Sequence, residues 1–159
     1  YGQTPSLWTR QGGMATIASY VSAPLEWRTK HLHYLRNKTV FYHIDDENKI
    51  YVHGGFDQKV PIRDQDPYNL YWNRHIIEVA KIYVTQKREF KDYKEVFVGH
   101  TTTGMFGTDK PLNISNLWML DTGSGWEGKL TIMDVNTHEY WQSDLSEDLY
   151  PNDYHGRER

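Results

Sequence analysis

The chain has 159 residues, with 18 Lys and Arg against 21 Asp and Glu, no cysteine and 14% aromatics. That length suits one ordinary domain able to bury a core without covalent staples, and the lack of cysteine excludes a disulfide framework, a thiolate zinc site and a Cys nucleophile. A formal charge of -3 supplies none of the basic excess that binding to nucleic-acid phosphates requires, and no run of about 18 apolar residues is present to span a membrane, so a cytoplasmic location is expected.

The opening Tyr1-Gly2-Gln3-Thr4-Pro5 has neither an initiator Met nor a charged-then-apolar leader, as in a processed chain or one that starts inside a longer protein. The first 38 residues read as helix, break, helix. Met14, Ile17, Ala18 and Val21 recur at helical spacing, weakened by Gly12-Gly13, and Ser22-Ala23-Pro24 restarts the chain with Ser22 as N-cap. Leu25, Leu32 and Leu35 form the apolar stripe of the second helix. From Thr39 the period shortens: Thr39–Ile44 and Lys49–His53 are β-branched and aromatic runs around the turn residues Asp45–Asn48, which predicts a hairpin.

A Pro- and Asp-bearing loop over Val60–Pro67 precedes a third helix marked by Trp72, Ile76, Ala80 and Tyr83, ending near the charged Lys87–Lys94 stretch. Glu95–Val98, closed by Gly99, reads as a buried strand. Asn116–Leu120 and Lys129–Val135 are two more, joined through Gly123, Gly125 and Gly128 as a hairpin, and Glu139–Trp141 adds a short last strand. Residues 143–159 read as a polar tail that packs little. The class is α+β: a helical N-terminal segment followed by a mixed β-sheet.

Chemistry concentrates where a strand gives way to glycine. Tyr51-Val52-His53-Gly54-Gly55 sets an imidazole at the end of an apolar strand, before residues that turn sharply. A lone example is more often a surface histidine beside a Gly turn, but Val96-Phe97-Val98-Gly99-His100-Thr101 repeats the pattern. Two neutral imidazoles suit Zn, Mn or Fe, although a catalytic site needs at least three protein ligands and a water. Tyr71-Trp72-Asn73-Arg74 opens the third helix, where an arginine is either solvated or a bidentate phosphate clamp. His31, His33, His43, His75, His138 and His155 lack a partner pattern. Nucleophile-elbow, phosphate-loop and HExxH motifs are absent, a triad through His100 and Asp121 has nothing to order it, and the aromatics serve a core as well as a carbohydrate face.

In order, Trp8-Thr9-Arg10-Gln11-Gly12-Gly13, Tyr51-Val52-His53-Gly54-Gly55, Tyr71-Trp72-Asn73-Arg74, Val98-Gly99-His100-Thr101 and Leu120-Asp121-Thr122-Gly123, running into Gly128-Lys129-Leu130-Thr131, resemble the calcineurin-like metallophosphoesterases. The resemblance is to their bacterial and phage serine/threonine protein phosphatase branch and runs to about Trp141. It implies a part of a four-layer α/β/β/α sandwich, with residues 1–142 as the C-terminal half of that domain. It also implies that His53 and His100 ligate one of two divalent metals (Mn²⁺, Fe²⁺ or Zn²⁺) that activate a water for attack on phosphorus, and that Arg74 holds the phosphoryl oxygens. The Asp-Thr-Gly turn at Asp121 would shape the pocket rim.

The family's remaining metal motifs contain Gly-Asp and Gly-Asn, and this sequence holds neither dipeptide. The expectation is therefore half of a phosphatase site, with at most weak binding of a single metal and negligible turnover by this chain. The implied substrates are phosphoproteins or dinucleoside polyphosphates, and exposed sheet edges favour homo-oligomers. The alternative from another class is a non-catalytic module that retains half the scaffold and holds an anionic partner through Arg74 or its aromatic surface.

Overall fold

The computed structural model describes residues 5–151. The chain divides into two units, one running to Val40 and resuming at Tyr150, the other spanning Phe41–Leu149.

In the first unit the helical reading holds with altered boundaries. Three helices form: α1 (Pro5–Arg10), α2 (Gly13–Ser19) and α3 (Leu25–Lys38). The glycine pair divides one expected helix into α1 and α2, because Gly12 takes a left-handed φ of 102° that side-chain-bearing residues avoid. Gly13 is buried against Trp8, whose ring carbons lie 2.4–2.7 Å from where a Cβ would stand. Pro24, not Ser22, occupies the N-cap of α3, and it makes no side-chain cap. The Tyr20 hydroxyl meets Nδ1 of His31, tying the end of α2 to α3. The Leu25, Leu32 and Leu35 stripe stays exposed, and α3 buries no residue.

The second unit starts with the predicted hairpin, β1 (Tyr42–Ile44) antiparallel to β2 (Lys49–Val52). Its turn is built on Asp45, whose carboxylate accepts hydrogen bonds from the backbone N–H of Glu47 and Lys49 and from the Tyr51 hydroxyl. The turn closes at Asn48, a residue type that tolerates its φ of 62°. The third expected helix is two, α4 (Pro67–Trp72) and α5 (His75–Gln86). Asp66 caps α4 by accepting from Tyr68 N–H, and extended backbone at Asn73 separates α4 from α5.

β3 (Glu95–Val98) lies parallel to β2, and β5 (Leu117–Met119) parallel to β3. A strand not expected from the sequence, β4 (Leu112–Ile114), pairs antiparallel with β5 across a turn at Ser115, giving the order β1-β2-β3-β5-β4. β6 (Thr131–Met133) and β7 (Tyr140–Gln142) form a separate antiparallel pair. The expected hairpin between the Asn116–Leu120 and Lys129–Val135 runs does not form. β5 is already flanked by β3 and β4, so the glycine-rich link carries the chain to a second sheet.

Strand alternation sorts the side chains into two faces. Ile50, Val96 and Leu117 occupy one cross-strand row and Val52, Val98 and Met119 another, and these pack with Ile76, Ile77 and Ala80 of α5 into the core. Each Val, Leu, Ile or Met among them contributes roughly 1.5–3 kcal/mol on burial. The opposite face carries the row His43, Tyr51, Phe97 and Trp118, with Tyr51 stacked on Phe97 at 5.1 Å. There His138, from the β6–β7 turn, stacks on Trp118 at 4.5 Å and sits 2.7 Å from the Glu95 carboxylate. The segment read as a polar tail is tied in as far as α6 (Ser146–Leu149): Ser143 N–H donates to Leu130, and buried Ser146 donates to the Ser124 carbonyl. The class is thus mixed α+β, as expected. Among the described residues no helix is long and apolar enough to cross a membrane.

Candidate functional site

Three parallel strands end side by side, and the residues just beyond their carboxyl ends are His53 after β2, Gly99-His100 after β3 and Leu120-Asp121 after β5. In open parallel sheets this edge gathers ligands, because the strands deliver loops and helix starts to one place. Gly99 N–H donates to the His53 carbonyl at 2.9 Å, and Leu120 N–H to that of Val98 at 2.9 Å, so pairing continues into the site.

The two predicted histidines come together: their ring centroids are 5.2 Å apart and the planes are tilted by 54°. His100 adopts a φ of 62°, a conformation that costs a non-glycine residue energy and tends to persist at functional sites. Burial pushes the His100 imidazole below its ordinary pKa, the Arg74 and His53 charges push the same way, and Asp121 opposes them. His100 therefore favours the neutral form, the form in which an imidazole donates its lone pair to a metal.

The glycines after His53 admit a third element. Gly54 N–H donates to the Leu70 carbonyl at 2.7 Å, and a Cβ on Gly54 would stand 2.6 Å from the Tyr71 carbonyl carbon. A Cβ on Gly55 would come within 2.7 Å of Ile76. The α4–α5 junction thus rests directly on the end of β2. That contact brings Trp72 to 5.1 Å from the His100 ring, nearly perpendicular at 85°, and sets Arg74 at the N-cap of α5. Arg74 is exposed and makes no ion pair among the described residues, so its guanidinium remains available to an anion.

Asp121 fastens the far side. Its Oδ1 accepts from Gly123 N–H at 3.0 Å, and its carbonyl from buried Thr103 N–H at 2.8 Å. Thr122 continues the turn by donating to the Lys129 carbonyl, and a Cβ on Gly128 would stand 2.1 Å from the Thr122 carbonyl oxygen. A cavity of about 830 Å³ lies alongside, lined among others by Thr102, Asp109, Thr122, Trp126 and Glu127.

Two neighbouring imidazoles are nitrogen donors of the kind that Zn, Mn or Fe accepts. Among the described residues no group of three or more His, Asp or Glu side chains is arranged to hold a metal. Motif spacing gave the two histidines and Arg74; the contact of Trp72 with His100 has no spacing signal and was missed. Most of the other histidines have structural partners: His31 with Tyr20, His33 with Asn37, His43 stacked on Tyr51, and His138 with Glu95 and Trp118. His155 lies outside the described residues. Comparison with models of known protein families finds no match, and comparison with curated proteins finds no significant relative.

Proposed function

We propose that the chain carries part of the site of a calcineurin-like metallophosphoesterase of the phosphoprotein phosphatase type, acting on phosphomonoesters. The carrying observation is the convergence of His53 and His100 at neighbouring strand ends, 5.2 Å apart, with Arg74 brought to the same edge by the contact of Gly54 and Gly55 with the α4–α5 junction. A divalent ion (Mn²⁺, Fe²⁺ or Zn²⁺), one of two in the complete site, would be held by His53 and His100 and would supply an activated water and charge neutralisation for attack on phosphorus. The chain's own contribution is positional. His100, biased to the neutral form, keeps a lone pair available, and Arg74 donates bidentate hydrogen bonds to phosphoryl oxygens. The open cavity beside Asp121 leaves room for a phosphoprotein surface or a dinucleoside polyphosphate behind the phosphate. The four-layer sandwich belongs to the same proposal, supported by the succession of α5, the five-stranded sheet and the β6–β7 pair. So does self-association through the edge strands β1 and β4, which light scattering at high concentration reads directly.

The test is calorimetric. Mn²⁺ titrated into the chain is expected to bind weakly, one ion per chain, and His53→Ala or His100→Ala each to abolish it. Arg74→Ala is expected to retain the ion while weakening inorganic phosphate by about 10- to 100-fold, the worth of hydrogen bonds to a charged group. Hydrolysis of p-nitrophenyl phosphate by this chain alone is expected to be negligible. Metal binding indifferent to both histidine substitutions overturns the assignment.

A further inference from the structure

The His100 imidazole neighbours two other rings: His53 with centroids 5.2 Å apart, and the Trp72 indole at 5.1 Å and 85°. The edge-to-face arrangement is an attractive geometry for two π systems, worth about 0.5–1.5 kcal/mol beyond the area it buries. Trp72 is itself held from two directions. Tyr68, one turn earlier on α4, packs against its ring at 6.4 Å, and the backbone at Tyr71–Trp72 lies against Gly54, where a Cβ would meet Trp72 N at 2.8 Å. Trp72 is therefore part of a wall fixed to the end of β2, the strand that His53 follows.

His100, by contrast, sits on a short turn in a left-handed conformation, with Thr101 N–H donating to the Gly99 carbonyl. Its own carbonyl and N–H belong to no strand ladder, and the Trp72 indole is a ring contact from another element that bears on its side chain. From these contacts we infer that Trp72 is a positioning residue. It holds the His100 ring beside His53, so that two histidines following different strands act as one preformed pair of donors. This inference rests on the metal-binding reading of His53 and His100 and goes beyond it, because an indole has no lone pair to offer a metal and acts only through the ring it touches. Groups that orient a metal-ligating histidine without touching the metal commonly change affinity by 10- to 100-fold.

The test uses the full chain and its Trp72→Ala, Trp72→Phe and Trp72→Leu variants, with folding verified by near-ultraviolet circular dichroism. In metal-free protein, cross-relaxation between the His53 and His100 ring protons is expected in the wild type and in Trp72→Phe, where an aromatic edge or face remains. It is expected to vanish in Trp72→Ala and to weaken in Trp72→Leu, which fills space without a ring. Titrated with Zn²⁺, Trp72→Ala is expected to bind about tenfold more weakly than wild type, and Trp72→Phe within about threefold of it. Unchanged ring proximity and unchanged Zn²⁺ affinity in Trp72→Ala overturn the inference while leaving the metal assignment intact. A wild type that binds no Zn²⁺ sinks the metal assignment, and the ring-proximity measurement still decides whether Trp72 holds the pair. Equal losses in the Phe and Ala variants also overturn the role, since an aromatic buttress requires the Phe rescue.

Discussion

At the scale of single residues, two glycines let the α4–α5 junction reach this edge of the sheet. Gly54 and Gly55 have no side chain because the backbone of the α4–α5 junction occupies that space. We expect Gly54→Ala, whose methyl carbon would stand 2.6 Å from a backbone carbonyl carbon, to destabilise the fold by about 1–3 kcal/mol, as overpacking does. It should also push Trp72 and Arg74 away from the histidines. Gly104→Ala is the matched control: its nearest neighbour is a threonine hydroxyl at 3.9 Å, so stability should change by less than about 0.5 kcal/mol. Urea unfolding of the two variants separates these cases, and equal midpoints would refute the close-approach argument. The histidines and Arg74 were legible because each sits in a short local pattern at a predictable strand end or helix start. Trp72 was not, since the same indole at helical spacing describes any amphipathic helix until the fold shows which ring it faces.

At the scale of elements, the β1–β2 hairpin depends on one carboxylate. Asp45 accepts three hydrogen bonds within its own hairpin, and the backbone donor of Lys49, followed by Tyr51 and Glu47, holds its pKa below the ordinary carboxylate value. A depressed folded-state pKa means the unfolded chain binds the proton more readily. This contribution is therefore complete above the ordinary Asp value and is lost as pH falls through the lower folded value. Asp45→Asn should lower the melting temperature at neutral pH and flatten its decline as pH falls below the ordinary Asp value. A variant with the wild-type acid slope would show that Asp45 is not the group responsible. This turn was visible in advance because Asp-Asp-Glu-Asn between two β-branched runs has few other uses. The breaks within helices were less visible. Gly12 and Asn73 each divide a segment whose apolar spacing is continuous, because a left-handed φ in one case and a packing demand from β2 in the other outweigh periodicity.

At the scale of the Phe41–Leu149 unit, buried Lys49 helps to join the two sheets. Lys49 starts β2 and is almost wholly buried, yet its ammonium reaches the Val135 carbonyl at 2.9 Å and the Asn136 side chain at 2.6 Å in the β6–β7 turn. Glu47 at 3.4 Å and Glu95 at 3.9 Å offset its charge. Lys49→Met removes the cation and strands these partners, and it should cost about 3 kcal/mol in urea unfolding, the lower end for breaking a buried ionic pair. Increased hydrogen exchange confined to residues 131–142 should accompany it. A loss below about 0.5 kcal/mol would show that the aromatic contact of His138 with Trp118 holds the turn without it.

By itself the sequence determined the parts that local chemistry dictates. These are the β1–β2 turn, the buried runs of β2, β3 and β5, the strand-to-glycine junctions that present His53 and His100, and the cysteine-free, mildly acidic character of the chain. Tertiary structure alone decided the parts that depend on who neighbours whom. Pairing capacity is used up around β5, so the glycine-rich link leads to a second sheet instead of a hairpin. Side chains far apart in sequence meet only once the strands are in register, which is how Trp72 comes to lie against His100 and Lys49 comes to hold a turn more than 80 residues away. Periodicity and turn chemistry act within a few residues along the chain, whereas a candidate site at the ends of three strands exists only after the sheet has assembled.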